Sequence, residues 1–160
     1  MSPHHMLKAL LAFVIAVCFA VAARAGEPSA AERLARDYLA AYSAADTVAM
    51  ARFLSYDAVF ADQTARPADG GPIVLIGRDV FLKQFQTYGL KRLEYELANV
   101  FESNGRVVFI GHVNAYYPRS AGGTSRFRSR IITVITVEAG QVARHEDFAD
   151  YTNAEKTVLR

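Results

Sequence analysis

The sequence predicts an α+β domain in which helices come first and a mainly antiparallel sheet follows. Apolar residues recur at helical spacing over 30–45 and again over about 78–88. From residue 91 onward the pattern changes to the alternation that is typical of strands, and Asn104-Gly105 is a strong hairpin signal. Helices followed by a run of strands indicate an α+β domain whose sheet carries the helices on one face.

Capping signals support the predicted helices. Ser29 and Glu32 have the spacing of a capping box at the start of the first helix. Asp46 can cap a short second helix, 47–54, and Gly89 is predicted to stop the third. These signals place all three helices in the first part of the chain.

Five strands are predicted. The first lies between the second and third helices at 57–63, where alternation puts Phe60 and Asp62 on one face. The other four form an antiparallel meander over 91–102, 106–117, 126–138 and 141–151. No internal repeat or linker divides the chain, so residues 26–160 are predicted to form one domain.

Residues 1–25 are typical of a secretory signal peptide. Lys8 precedes an apolar run, and the small residues of "ARA" at 23–25 offer a cleavage site after Ala25. The apolar run is too short for a comfortable membrane span of about 20 residues, and an uncleaved N-terminal anchor is the alternative. We therefore expect a secreted or periplasmic protein without a stable membrane span after cleavage.

Composition excludes several classes of function. Without residues 1–25, which hold Lys8 and Arg24 but no acidic residue, basic residues no longer outnumber the 16 acidic ones. A neutral chain argues against a broad nucleic-acid surface. Cys18 is the only cysteine, so the mature chain has no disulfide and no thiolate ligand. It also lacks a P-loop, a G-x-S-x-G motif and zinc-site histidine spacing, and we expect neither a metal nor a cofactor.

Ionisable residues interrupt two of the predicted strands. His112 and Asn114 share one face of the strand 106–117, together with Ile110 and Tyr116, and His145 and Asp147 share one face of 141–151. Alternation alone does not say which faces look inward. A partly desolvated carboxylate beside an imidazole is a way to hold a general base, but it can equally be a structural pair that closes the open end of the sheet.

The strand 126–138 carries three arginines on one face, Arg126, Arg128 and Arg130. They could bind an anionic ligand or a lipid headgroup, but a solvated sheet face is the reading we favour. Toward the end of this strand both faces are apolar, with Ile132 and Val134 opposite Ile131 and Ile135. A strand that is apolar on both faces is usually covered on both.

Three segments, 36–62, 76–85 and 138–151, together resemble the SnoaL-like branch of the nuclear-transport-factor-2-like superfamily. The resemblance covers essentially all of 26–160 and implies a cone-shaped domain, with helices packed on a curved sheet that encloses a pocket. The superfamily includes ketosteroid isomerases, limonene-epoxide hydrolases, polyketide cyclases and pure binding modules, so the resemblance is specific for fold rather than for activity. It also implies a homodimer formed through the outer face of the sheet.

The resemblance assigns roles to individual residues only in part. Tyr38 and Asp62 match the oxyanion-hole tyrosine and the general base of ketosteroid isomerases, whereas the second oxyanion donor would fall near Thr133, which is not acidic. Asp147 matches the catalytic aspartate of limonene-epoxide hydrolases. The partner arginine and second aspartate of that family are replaced here by His112 and Asn114. Polyketide cyclases of this type need only one acid–base carboxylate in an apolar pocket, which this sequence satisfies best.

The resemblance also implies which faces look inward: Phe60 and Asp62, Ile110 to Tyr116, and Ala143 to Tyr151. On this basis Asp62 or Asp147 is expected to accept a proton and His112 to orient it. Tyr38 and Asn114 are expected to hydrogen-bond a carbonyl or hydroxyl group. The further ligand contacts expected are Phe60, Phe85, Tyr116 and His145.

Two functions of different classes are consistent with these residues. The first is a cofactor-independent acid–base isomerase, cyclase or hydrolase that acts on a small apolar or carbonyl-containing molecule. The alternative is a non-catalytic ligand carrier or dimerisation module, because the chain is rich in aromatic residues but holds no complete catalytic set.

Overall fold

The structure, a computed structural model, describes residues 27–66 and 70–160. The predicted signal peptide at 1–25 lies outside the described residues, and its cleavage stays a prediction. Three helices lie against one face of a curved seven-stranded sheet. This arrangement confirms the predicted α+β class.

The elements follow the predicted order. The helices are α1 (Ala30–Ser43), α2 (Thr47–Phe53) and α3 (Arg78–Thr87). The strands are β1 (Leu54–Asp62), β2 (Ile73–Ile76), β3 (Arg92–Ser103), β4 (Arg106–Pro118), β5 (Thr124–Glu138), β6 (Gln141–Ala149) and β7 (Glu155–Leu159). Two short strands, β2 and β7, were not predicted.

The helix caps have the predicted geometry. The Ser29 side chain accepts a hydrogen bond of 3.0 Å from the Glu32 amide at the start of α1. Asp46 accepts from the amides of Val48 and Ala49 at the start of α2, at 3.1 and 2.9 Å. The helix α1 ends two residues before the predicted boundary, because Ala45 adopts a positive φ of 54° that a helix cannot continue.

Strand order in the sheet is β2-β1-β6-β5-β4-β3. The meander from β3 to β6 is antiparallel, as predicted, whereas β1 pairs with β6 in the parallel direction. The long strand β5 is shared: residues 131–138 pair with β6, and residues 124–128 pair with β7. The strands β6 and β7 therefore follow one another along the same edge of β5, separated by the short segment 150–154.

Aromatic residues fill the space between the helices and β1. Phe81 of α3 stacks on Phe60 of β1 with ring centroids 4.6 Å apart, and Phe85 packs on Tyr42 of α1 at 5.0 Å. Beyond them the core is aliphatic as well as aromatic and includes Leu39, Met50, Leu54, Val107, Phe109, Ile135 and Val142. None of the three described helices combines the length and apolar character needed to cross a membrane.

Candidate functional site

A cavity of about 560 Å³ lies between the helices and the inner face of the sheet. This volume is within the usual range for a small-molecule site. Its wall holds two carboxylates, Asp62 and Asp147, and none of the described lining residues is Lys, Arg or His. The wall is otherwise mostly apolar, and its aromatic members are Tyr42, Phe60, Phe85, Tyr88, Tyr95, Tyr117, Phe127 and Tyr151.

The two carboxylates meet because β1 and β6 are parallel neighbours. The register places Asp62 beside Asp147 and Phe60 beside His145. Side chains two residues apart share a face, so all four point toward the helices. Asp62 is 6% exposed and Asp147 is 5% exposed, so both carboxylates are largely removed from solvent.

The two oxygens of Asp147 have unequal partners. Thr133, its cross-strand neighbour on β5, donates a hydrogen bond of 2.5 Å to Oδ1. His145 Nε2 lies 3.1 Å from the same oxygen, but the contact lacks hydrogen-bond alignment. On the other oxygen, Oδ2, the Tyr42 hydroxyl forms only a long contact of 3.5 Å. Oδ2 is therefore the oxygen more open to a new partner.

His145 lies behind Asp147 rather than on the cavity wall. It is 1% exposed, and its Nδ1 is 2.9 Å from the Tyr38 hydroxyl. Tyr42 and Phe60 also pack on the imidazole, with centroid distances of 4.6 and 5.1 Å. This packing fixes the ring beside the carboxylate, and Tyr42, Phe60 and Asp147 separate His145 from the cavity.

Asp62 is bonded quite differently from Asp147. Its Oδ1 accepts from the Thr64 amide and hydroxyl, both at 3.1 Å, and from the Ala65 amide at 2.9 Å. Its Oδ2 accepts from the Tyr151 hydroxyl. These bonds connect the start of the loop after β1 and the segment after β6 to one carboxylate. Asp62 therefore holds both segments in place beside the cavity.

The buried tyrosines near Asp147 remain hydrogen-bond donors. Burial raises the pKa of Tyr42 well above its usual value, and the charge of Asp147 raises it further. The pKa of Tyr95 is raised well above its usual value by the same two causes, in the same order. Both phenols therefore stay protonated at neutral pH and can donate to a ligand oxygen.

The prediction of which face of β4 looks inward is wrong. Val113 and Ala115 of this strand line the cavity, whereas His112, Asn114 and Tyr116 lie on the outer face of the sheet. The inner face takes the more continuous apolar set of β4, which also includes Val107 and Phe109. His112 thus lies on the opposite side of the sheet from both aspartates and cannot orient either of them.

Two of the three displaced residues, Asn114 and Tyr116, form hydrogen bonds in a polar network on the outer face. Asn114 donates to Glu96 at 2.8 Å, and Arg128 donates to the other oxygen of Glu96 at 2.7 Å. These bonds, that from Arg128 first, lower the pKa of Glu96 to about 2. Tyr116 donates to Glu94 at 2.6 Å. The network matches the solvated sheet face that we favoured for the arginine row.

Tyr38 also differs from its expected position. Its side chain is fully buried and its hydroxyl is used by His145, so it does not reach the cavity wall. Tyr42, one helical turn later, takes that place. Of the other predicted site residues, Phe60, Asp62, Phe85 and Asp147 line the cavity as expected.

Sequence reasoning missed several wall residues and one support of Asp147. These are Tyr42, Tyr88, Tyr95 and Thr133, while Tyr151 was expected on the inward face but was given no role. Tyr42 could have been predicted, since it follows Tyr38 by four residues and lies on the same helix face. Thr133 could have been predicted as well, because it occupies an inward position in the alternation of β5.

A second depression, of about 620 Å³, lies on the outer side of β1 and β6. Its wall is strongly charged, and Arg144 and Glu146 in it pair with each other at 3.0 Å. Within residues 27–66 and 70–160, no three His, Cys, Asp or Glu side chains are grouped so as to hold a metal ion. The apolar cavity with two carboxylates is therefore the stronger candidate for a small-molecule site.

Comparisons with known proteins agree with this architecture. Residues 35–145 match the family model of the SnoaL-like domain. A comparison with curated proteins found no match. Among solved structures, a protein from Shewanella putrefaciens CN-32 provisionally assigned as a SnoaL-like polyketide cyclase is 20% identical, with a TM-score of 0.69 over 84% of this chain and 88% of the other.

Two further structures share the fold at low sequence identity. The corresponding protein of Shewanella denitrificans OS-217 is 20% identical, with a TM-score of 0.66 over 76% of this chain and 91% of that one. TerC, co-crystallised with polyporic acid, is 16% identical, with a TM-score of 0.57 over 78% and 94% of the two chains. Together with the match over 35–145, this likeness shows that the chain belongs to the SnoaL-like domain family.

Proposed function

We propose that the chain is a cofactor-independent acid–base enzyme, an isomerase, cyclase or hydrolase, that moves a proton on a small and largely apolar carbonyl compound. The observation that carries the proposal is the state of Asp147. One of its oxygens is held by Thr133 at 2.5 Å, while the other has only a 3.5 Å contact and belongs to an apolar cavity wall. A carboxylate held in this way can accept a proton without rearranging.

The surrounding residues supply the other parts of a proton transfer. Oδ2 of Asp147 takes a proton from the carbon next to the carbonyl, and the electron pair moves onto the carbonyl oxygen. Tyr42 and Tyr95 line the same cavity and can donate hydrogen bonds to that oxygen. Return of the proton from Asp147 to another carbon completes an isomerisation. In a cyclisation the carbanion attacks a second carbonyl within the molecule, and the new alkoxide takes the proton back from Asp147.

Asp147 is better placed than Asp62 to accept a proton. Asp62 already accepts four hydrogen bonds, from Thr64, Ala65 and Tyr151. These bonds occupy both of its oxygens, whereas Oδ2 of Asp147 has only the 3.5 Å contact with Tyr42. This difference in hydrogen bonding supports different roles for Asp62 and Asp147, which the sequence alone did not distinguish.

The test uses a probe ketone, because it needs no knowledge of the natural substrate. The purified domain is incubated with 2-tetralone in D₂O, and loss of the proton next to the carbonyl is followed by ¹H NMR. We expect exchange about 10²–10⁴-fold faster than with an equal concentration of acetate. Binding of 2-tetralone without faster exchange would contradict the proposal and favour the alternative function, a ligand carrier.

We also propose that the domain forms a homodimer through the outer face of its sheet. Apolar side chains are exposed there on three strands: Phe101 is 49% exposed, and Ile132 and Phe148 are each 41% exposed. Ile132 lies between Ile110 of β4 and Phe148 of β6 in the register, so these residues form one continuous patch.

Light scattering at micromolar concentration is expected to give the mass of a dimer. Ile132→Asp places a charge in the patch and is expected to give a folded monomer. Val80→Asp is the control, since Val80 is 53% exposed on α3, away from the sheet's outer face. A wild-type protein that is monomeric under these conditions would contradict the proposed dimer.

A further inference from the structure

Asp62 is a buried carboxylate that the proposed proton transfer does not use. Its hydrogen-bond donors are backbone amides and hydroxyl groups, all of them neutral. Among the described residues, no Lys, Arg or His forms an ion pair with it. A charge that is 6% exposed is usually paired with an opposite charge. A positively charged ligand group would supply that pairing.

Three tyrosines line the same cavity as this carboxylate. Tyr151 donates its hydroxyl hydrogen to Asp62. Tyr88 lies on the same wall, and burial raises the pKa of its hydroxyl, as does, to a smaller extent, the charge of Asp62. Tyr117 lines the same wall, and the pKa of its hydroxyl is raised by burial and by Tyr88. The faces of such rings attract cations.

The other residues of the wall are mostly apolar, so they can contact an apolar part of a ligand whose charged group lies near Asp62. Phe85, Leu93, Val113 and Ile131 lie along the cavity toward Asp147. Asp62 and Asp147 are the only carboxylates of the described wall, and no basic side chain lies in that wall to offset the charge of Asp62, so the cavity favours cations over anions at this end.

The ammonium group of Lys156 already contacts one aromatic ring of the cavity wall. Lys156 Nζ lies 5.2 Å from the ring centroid of Phe127, which lines the cavity. Lys156 is exposed on β7. Its charge therefore lies beside the cavity wall, where it would compete with a ligand cation for the Phe127 ring.

We propose that Asp62, Tyr88, Tyr117 and Tyr151 form a binding site for an organic ammonium group, which we call the ammonium site. The substrate class is then a small amine or quaternary ammonium compound with an apolar part that reaches Asp147. This inference rests on the proposed function, since it places the substrate of that reaction in the same cavity. It adds the charge of the substrate, which the proton transfer alone does not define.

Matched probes test the ammonium site by binding alone. Phenyltrimethylammonium and tert-butylbenzene have nearly the same shape and differ in charge, and benzoate supplies the opposite charge. Isothermal titration calorimetry with the wild-type domain is expected to show phenyltrimethylammonium binding at least about tenfold more tightly than tert-butylbenzene, with benzoate the weakest. Equal or tighter binding of the neutral probe would overturn the inference.

Variants test whether the preference for the cationic probe depends on the proposed residues. Asp62→Asn is expected to reduce the preference for the cation to about threefold or less. Because Asp62 also holds Thr64 and Ala65, Tyr88→Leu provides a second test at a half-buried position, and it should weaken the cation but not the neutral probe. Lys156→Gln is expected to strengthen cation binding. An unchanged preference in both Asp62→Asn and Tyr88→Leu would also overturn the inference.

The outcomes of the binding and exchange experiments are separable. Faster exchange of 2-tetralone without a preference for the cation would remove the ammonium site and leave the acid–base function intact. A preference for the cation without exchange would support the ammonium site in a carrier and remove the acid–base function.

Discussion

Replacing Asp147 by asparagine is expected to slow the exchange of 2-tetralone by about 10²–10⁴-fold. Asparagine has nearly the same shape, and its amide oxygen can still accept the hydrogen bond from Thr133. It cannot take up a proton in the way that a carboxylate does. The loss should therefore appear in the rate of exchange, measured by ¹H NMR at saturating ketone, and not in the affinity for the ketone.

Glu146→Gln is the matched control for this variant. Glu146 is the next residue of β6, and its side chain lies on the outer side of the sheet, where it pairs with Arg144 at 3.0 Å. The same change of carboxylate to amide should there leave the exchange rate within about twofold of the wild type, since such outer positions have small effects. Exchange that persists in Asp147→Asn would contradict the assignment of the base and direct attention to Asp62.

The fold was predictable because its signals are local. The caps at Ser29 and Asp46 and the Asn104-Gly105 hairpin depend on residues close together in sequence, and all three are present in the structure. The strand β2 was missed because it has only four residues and lies between turn signals. The strand β7 was missed because its alternation is weak and most of its residues are exposed.

Pairing between distant strands was harder to predict from the residues. The parallel contact of β1 with β6 joins Asp62 to Asp147 across more than 80 residues of sequence. Strand patterns do not name the neighbour of a strand, so only the family resemblance indicated that both aspartates face one cavity. The structure confirms that shared inward placement, while their chemical roles stay predictions.

The incorrect face of β4 has a physical explanation. A strand has two faces, and an apolar set occupies each face of β4 near its start, with Val107 and Phe109 on one side and Val108 and Ile110 on the other. Alternation therefore left the inward face open, and the expectation for His112 and Asn114 rested on the family resemblance. The outer face accommodates Asn114 at 3% exposure because Glu96 of β3 accepts a hydrogen bond from it, and this contact between two strands has no local sequence signal.

Phe81→Ala is expected to lower the free energy of unfolding by about 3–5 kcal/mol. Phe81 is 1% exposed, stacks on Phe60 with centroids 4.6 Å apart and meets Phe85 edge-on at 5.9 Å. Alanine would leave a cavity that these rings cannot fill without moving. Urea denaturation followed by circular dichroism measures the loss, and thermal unfolding should shift downward with it.

Tyr56→Ala removes an aromatic side chain that is 78% exposed and should change the free energy of unfolding by only about 0.5 kcal/mol. Phe81→Leu restores much of the lost volume and should recover most of the stability. A loss below about 1 kcal/mol in Phe81→Ala would mean that α3 is not packed on β1 as described. Because Phe81 packs on Phe60, which lines the cavity, the same variant should also weaken ligand binding, which links the stability of α3 to the shape of the cavity.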